Sequence, residues 1–524
     1  MRTKAGVFAA ILLSVACNEP AERVRLTAPD ALLSVSGSEG KRYVIVFNQP
    51  NGLPSNVERI VAGAGGTISA RLEEIGAIAA TSGDPDFAAR AAAEPQVKAV
   101  SEDIEVQMIP AAGSVEVATV NAQEPQGPAE PPGPDPQPGV DALYNQQWDK
   151  MRMNASLTGS YAVQRGRRDV VVGILDTGAE VFPLPHPDIA PNLDVGRSRS
   201  FVVPVGQPPG PANGDPNPLA WDDKNGHGSW CASAVAAPIN VVGISGVAPD
   251  VTIVALKVLR DTGSGSYFWL AQALVYAGVN KFDVASMSLG GYLRHAGNQA
   301  LITLVQRAVE FARENGVTPI AALGNDNFDL SDGDFVRDFI FAPAELPGVI
   351  GVSSTGYTNR KAFYSNYGVG QTDVSAPGGG STSFDPMPPT YHGNGRVLGA
   401  WSTESIGTIA PVFREEQCEP QTGGVCFYYA WVRGTSMATP NAAGVAALII
   451  SQYGDFTPDN SQKLHMAPTQ VEAILQQTAN NQPCTDNVFA PPFDVFNANC
   501  KGEAGGYTNF FGKGIVDALK AVTR

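Results

Sequence analysis

Positive charge is what this chain has least of: 35 Lys and Arg stand against 51 Asp and Glu among 524 residues, a formal net charge of -16. Nucleic-acid binding needs clustered basic side chains that displace counterions from phosphates, so this balance excludes that class of partner. Charged residues of either sign make up only 16% of the sequence, below the roughly 25% of ordinary soluble domains. Histidine is scarce, with five in all, and there is neither a His-Glu-x-x-His pair nor a Cys/His zinc spacing. Beyond the N-terminus no stretch reaches the about 20 residues of a membrane span without a charge, Gly or Pro. What the chain does have is a 43% hydrophobic fraction, which excludes wholesale disorder, and 56 Gly with 41 Pro, a supply of turns. The length suggests two to four domains.

At the N-terminus Arg2 and Lys4 precede the apolar run Ala5 to Ala16, too short to span a bilayer and the right size for a signal segment. Cys17 follows Leu13-Ser14-Val15-Ala16, which resembles a bacterial lipobox with Leu13 one place too far from the Cys. Residues 1–17 therefore read as an export signal, giving an extracellular protein. The alternative is lipid anchoring at the cell envelope through Cys17, the one case in which a membrane is a partner. Export to an oxidising compartment favours disulfides. The expected pairs are Cys418–Cys426 and Cys484–Cys500, although four Cys allow three connectivities. Cys231, in an Ala-rich apolar run, is left as a buried free thiol.

Composition changes sharply once. Residues 110–140 hold eight prolines and almost no large apolar side chains, an extended linker. Before it, residues 41–109 read as β-α-β-β-α-β: strand Tyr43–Phe47, helix Pro54–Ala64, strands Thr67–Glu74 and Ala77–Thr81, helix Asp86–Ala93, and a closing strand Val97–Met108. That order is ferredoxin-like. After the linker, residues 141–524 alternate helical stretches with the strand-like runs Val170–Leu175, Val251–Leu256, Val284–Met287, Ile320–Leu323 and Val349–Ser353. The alternation predicts an α/β fold, a parallel sheet with helices on both faces. In such sheets the chemistry gathers at the C-terminal ends of strands.

Four motifs fall at those places. Asp169 to Gly178 is an apolar strand ending in Asp176-Thr177-Gly178, where a carboxylate can orient a histidine. Asn225-Gly226-His227-Gly228 opens an apolar helix, and His227 alone of the five histidines sits between glycines at a helix start; His is the usual general base near neutral pH. Ala321-Ala322-Leu323-Gly324-Asn325 ends a buried strand in an amide donor. Gly434-Thr435-Ser436-Met437-Ala438-Thr439-Pro440 places Ser436 at a helix N-terminus, where free N–H groups favour negative charge. Each alone has an ordinary structural reading: an Asp at a turn, a packed His, a Gly-Asn turn, a Ser cap.

Together they occur in the order Asp, His, Asn, Ser, and residues 141–524 resemble the subtilase serine peptidases, whose three signatures these are. Cys231, four residues after His227, and the run Val258 to Gly265 resemble the proteinase K-like branch, and residues 41–109 resemble the family's inhibitory propeptide. The resemblance implies a secreted serine endopeptidase, made as a self-processing precursor, acting on polypeptides through Asp176, His227 and Ser436, with Asn325 at the oxyanion. It implies that Gly263-Ser264-Gly265 and Ser288-Leu289-Gly290 clamp an extended substrate, and that the propeptide inhibits intramolecularly. The chemistry requires no cofactor. Structural calcium is implied at Asp373 with the carbonyls of Pro347 and Val349, and a monomer is expected.

Departures from the family pattern are Ser286 for Asn, Trp230 for His, and a long segment at 379–433. No acidic residue is assignable to a pocket floor, which implies an apolar or broad preference. Two rivals stand against this reading. Asp-Thr-Gly at Asp176 and Asp261 is also the aspartic-protease triplet, but Arg260 beside Asp261 and the helical alternation oppose it. A catalytically inactive surface or binding protein on a peptidase scaffold is the other.

Overall fold

The computed structural model describes residues 33–34, 36–37, 40–109, 141–203, 213–419, 424–457, 460–491, 493–502 and 505–524. The signal segment, Cys17 and the Pro-rich linker lie outside them.

The N-terminal unit comprises β1 (Gly40–Phe47), α1 (Val57–Ala64), β2 (Thr67–Leu72), β3 (Ala77–Ser82), α2 (Phe87–Ala92) and β4 (Val97–Glu102). The strands are antiparallel in the order β2-β3-β1-β4, the ferredoxin-like arrangement that the element order implies. Alternation along β1 serves two cores. Tyr43, Ile45 and Phe47 pack under α1 and α2, whereas Val44 and Val46 join a core built mainly from the larger unit.

The expected closing strand Val97–Met108 is two strands. β4 ends at Glu102 and β5 (Ile104–Gln107) leaves the small sheet. Asp103 makes the break: its backbone N–H donates to Arg42 O at 2.8 Å, and its buried carboxylate pairs with Arg42 and accepts from Ser266 Oγ at 2.7 Å. A buried carboxylate has to be satisfied in this way, and meeting both partners turns the chain toward the larger unit.

The larger unit is built on seven parallel strands: β6 (Val171–Asp176), β7 (Arg199–Ser200), β8 (Thr252–Lys257), β10 (Val284–Met287), β11 (Thr318–Ala322), β12 (Ile350–Thr355) and β13 (Val374–Pro377), with β9 (Ser264–Ser266) outside the sheet. Their order is β13-β12-β11-β10-β6-β8-β7. The five apolar runs read from the sequence are its five central strands. Residues alternate between two cores: Val172 and Ile174 of β6 face one, Val171 and Leu175 the other. Helices α3 (His227–Ala236) and α6 (Thr435–Tyr453) are buried in the first core. Helices α4 (Tyr267–Val279) and α5 (Gln299–Glu314) are in the second. The expected α/β fold, a parallel sheet with helices on both faces, is the observed one.

The segment 379–433 contains a three-stranded antiparallel sheet of β14 (Val397–Trp401), β15 (Arg414–Glu419) and β16 (Val425–Val432). It lies against α3, and the unusual Trp230 is part of that contact: its indole N–H donates to Ala430 O at 3.2 Å. Cys418–Cys426 bridges β15 and β16, Cys484–Cys500 closes a second loop, and Cys231 is buried and free. Among the described residues no helix is long and apolar enough to cross a membrane.

Candidate active site

Asp176 closes β6 and His227 opens α3, and the two motifs are drawn together by their glycines. Gly228 N–H donates to Thr177 Oγ1 at 2.9 Å, and a Cβ on Gly228 would collide with the Gly178 carbonyl. Gly178 itself has φ +118°, a left-handed conformation that favours glycine. The result is a buried pair in which His227 Nδ1 lies 2.8 Å from Asp176 Oδ1. The same oxygen accepts the Thr177 N–H at 2.7 Å. Among the described residues His227 Nε2 has no hydrogen-bond partner, which leaves it available to a reacting group.

Ser436 is the second residue of α6, in the first turn, where backbone N–H groups have no partner within the helix. Pro440 lies four residues on and has no N–H to give the Ser436 carbonyl. That carbonyl instead accepts from the Cys231 thiol at 3.7 Å, and Cys231 Sγ also lies 3.9 Å from His227 Nδ1. Burial, with Asp176 close by, pushes this thiol well above its ordinary range, so it stays a neutral packing group. Asn325 lies just past the end of β11. Its Oδ1 accepts from Thr435 N at 2.8 Å and Thr435 Oγ1 at 3.1 Å, which orients the amide with Nδ2 as its donor end.

Ser436, Thr435, Asn325, Leu289 and Gly290 line one cavity of about 310 Å³, together with Val106 to Ile109 of the N-terminal unit. β5 pairs antiparallel with β9, Glu105 opposite Ser266 and Gln107 opposite Ser264. Further on, Met108 and Ile109 N–H both reach Gly263 O, and Gly290 N–H donates to Met108 O at 3.2 Å. The chain from Ile104 to Ile109 thus has Gly263–Ser266 along one side, while on the other Leu33–Ser34 pair with Glu105 and Ile104 and Gly290 meets Met108. Ser288 follows β10 directly and leads into that second edge.

Two groups at the site escaped the sequence reading. Asp326 lines the cavity beside Asn325, with Tyr292 Oη donating to it at 2.5 Å, so an acidic residue does stand at this pocket. Asp223, four residues before His227, accepts from five donors in the two motif loops; an Asp just ahead of a helix start is the signal that marks such a residue. Of the other histidines, His186 is held neutral by burial, which lowers it to about 4.

Asp373 precedes β13. Its carboxylate accepts from Gly351 N at 2.8 Å and Gln476 Nε2 at 3.5 Å, both neutral donors, and burial pushes it up to about 7. Pro347 O accepts from Gln306 Nε2 at 3.3 Å. Asp373 is a half-buried carboxylate bonded by neutral donors, and carboxylate and carbonyl oxygens are the hard donors that calcium takes.

The sequence profile of the subtilase family (Peptidase_S8) matches residues 167–514. Subtilisin E of Bacillus subtilis (strain 168) is 29% identical over 423 residues, 80% of this chain and 83% of that protein. A subtilisin of Bacillus pumilus is 32% identical over 289 residues, 55% of this chain and 79% of its own. Among solved structures, the epidermin leader peptide processing serine protease (EpiP) of Staphylococcus aureus has the same fold. It superposes with a TM-score of 0.64 at 19% identity, covering 93% of this chain and 98% of its own. A protease of Pseudoalteromonas arctica PAMC 21717 gives a TM-score of 0.52 at 26% identity over 74% of this chain and 99% of its own. The chain belongs to the subtilase family and is a serine-type endopeptidase.

Proposed function

We propose that the protein is exported as a precursor, that Ser436 is its nucleophile, and that it cleaves its own chain to mature. The observation that carries this reading is the course of residues 104–109, which pair with Gly263–Ser266, meet Gly290 at Met108 and end in the cavity lined by Ser436 and Asn325. Polypeptide substrates bind in the same way, as an added strand whose backbone bonds give affinity.

In the reaction Ser436 Oγ bonds to the peptide carbonyl carbon while its proton passes to His227 Nε2. Asp176, on Nδ1, holds the imidazole tautomer and stabilises the imidazolium. Asn325 Nδ2 and the Ser436 N–H receive the oxyanion. Removing one such side-chain donor costs roughly 10²–10³ in kcat, a magnitude measured on subtilisin itself. Collapse breaks the C–N bond, His227 returns its proton to the leaving amine, and water then releases the acyl group from Ser436 by the same route.

The N-terminal unit is the inhibitor, and self-cleavage falls at its end or within residues 110–140. Calcium, where bound, would be held by Asp373 with the carbonyls of Pro347 and Val349 and would support the fold. One chain supplies every group named, so a monomer suffices. The test is Ser436→Ala: freed of other proteases, the signal-cleaved precursor of this variant should stay uncut and should not be labelled by a fluorophosphonate. Processing at the wild-type rate would overturn self-cleavage.

A further inference from the structure

The groove carries a feature that this chemistry does not use. Arg260, between β8 and β9, meets Glu105 of β5 in a two-point pair: Nε to Oε2 at 2.8 Å and Nη2 to Oε1 at 2.6 Å. The guanidinium also lies 4.9 Å over the ring of Trp269. Both side chains are largely out of water, 19% and 10% exposed. Planar two-point recognition of a carboxylate is a task that arginine performs and lysine does not.

The position of Glu105 is set by the backbone as well as by this pair. Glu105 stands opposite Ser266 and Gln107 opposite Ser264, and the Met108 carbonyl takes the Gly290 N–H. Glu105 therefore holds a fixed register, four residues ahead of Ile109. Among the described residues Glu105 is the carboxylate ion-paired with Arg260, while the neighbouring Asp261 is engaged by Lys257. Cleavage after residue 109 separates the two: Glu105 leaves with the N-terminal unit, and Arg260 and Trp269 remain on the enzyme.

We infer that Arg260, backed by Trp269, forms a subsite for an acidic side chain of the substrate. That side chain lies four residues before the one that takes the place of Ile109. The inference rests on reading residues 104–109 as a product-like strand. It makes the enzyme selective for polypeptides carrying Glu or Asp at a distance from the reacting bond, and Glu105 is the first such ligand the subsite meets.

Enzyme matured from the full-length chain is assayed on quenched peptides with the sequence of residues 102–115, carrying Glu, Gln or Lys at position 105. The expected kcat/KM for the Glu peptide exceeds that for the Lys peptide by about tenfold, as for a charged two-point pair that is partly screened. The ratio should shrink as salt is raised. Arg260→Glu should invert the ranking. If that precursor fails to mature because Glu105 now faces a like charge, the double variant Arg260→Glu with Glu105→Arg restores the pairing and yields the same mature enzyme. Should none of the peptides be cut, the same ranking is read from their inhibition of casein hydrolysis. Equal values for the three peptides, or an unchanged ranking in Arg260→Glu, would overturn the subsite. Processing of the Ser436→Ala precursor would overturn self-cleavage and leave this ranking standing.

Discussion

Asp223 Oδ1 accepts the Thr177 hydroxyl at 2.9 Å, and this bond ties the turn that carries Asp176 to the entrance of the helix that carries His227. The same oxygen takes Asn225 N at 2.9 Å and Gly226 N at 3.0 Å, while Oδ2 takes Ser229 N and Oγ, each at 2.8 Å. One buried carboxylate thus sets the relative placement of both motif loops. Among the described contacts Asp223 meets none of the atoms of the proposed reaction. It is a positioning residue.

Asp223→Asn puts an N–H₂ against the Ser229 donors and should shift His227 relative to Asp176. Displacements of about 1 Å cost on the order of 10² in rate. We expect kcat to fall tenfold to a hundredfold, roughly, with KM little changed. A rise in KM at constant kcat would assign Asp223 to substrate binding instead.

Glu180 gives a pH prediction. Burial pushes its carboxyl from 4.5 up to about 8, and among the described residues Oε2 has no partner. The folded chain therefore keeps a proton that the unfolded chain releases near 4.5. The stabilisation is complete below that value and is lost as pH rises through about 8. Glu180→Gln keeps the acceptor for Thr403 N–H and removes the loss. Urea unfolding of the inhibited enzyme should find the variant more stable at pH 9 by on the order of 2–4 kcal/mol, and nearly equal to wild type at pH 4.

Five strands of the parallel sheet were legible because they are buried on both faces, which leaves continuous apolar runs such as Val170–Leu175. Arg199–Ser200 and Val374–Pro377 were not. They lie at the sheet edges, and neither is long enough to show a pattern. The break at Asp103 was invisible for a different reason: its causes, Arg42 and Ser266, are distant in sequence. Asp176, His227, Asn325 and Ser436 could be singled out as candidates because each sits in a motif at a strand or helix end. Asp326 follows Asn325 directly, but its place on the cavity wall is set by the fold, and Asp223 carries only the general signal of an Asp ahead of a helix start, which does not show that it binds two loops at once.

Reduction should weaken the protein without silencing it. Cys484–Cys500 spans 16 residues, and loops of about that size contribute roughly 3 kcal/mol in the chain-entropy model. Neither bridge contains a residue of the proposed catalytic set. Scanning calorimetry with dithiothreitol should show a lower Tm, while peptide hydrolysis at moderate temperature persists.

Chelation tests the calcium assignment. Removing an ion that binds only the folded chain lowers stability by mass action. Excess chelator should therefore lower the Tm of wild type and leave that of Asp373→Asn nearly unmoved. An unshifted wild-type Tm would remove calcium from the account.

Gly226 precedes His227 with φ +99°, and a Cβ there would drive into the indole of Trp401 on β14. The antiparallel sheet of residues 397–432 and the histidine loop are therefore matched parts. The loop cannot be transplanted into a shorter relative and keep its shape unless Trp401 travels with it. Nor can the insertion be trimmed as surplus, because its removal would uncover the backbone on which the imidazole stands. For anyone redesigning this enzyme, the smallest exchangeable module is the pair.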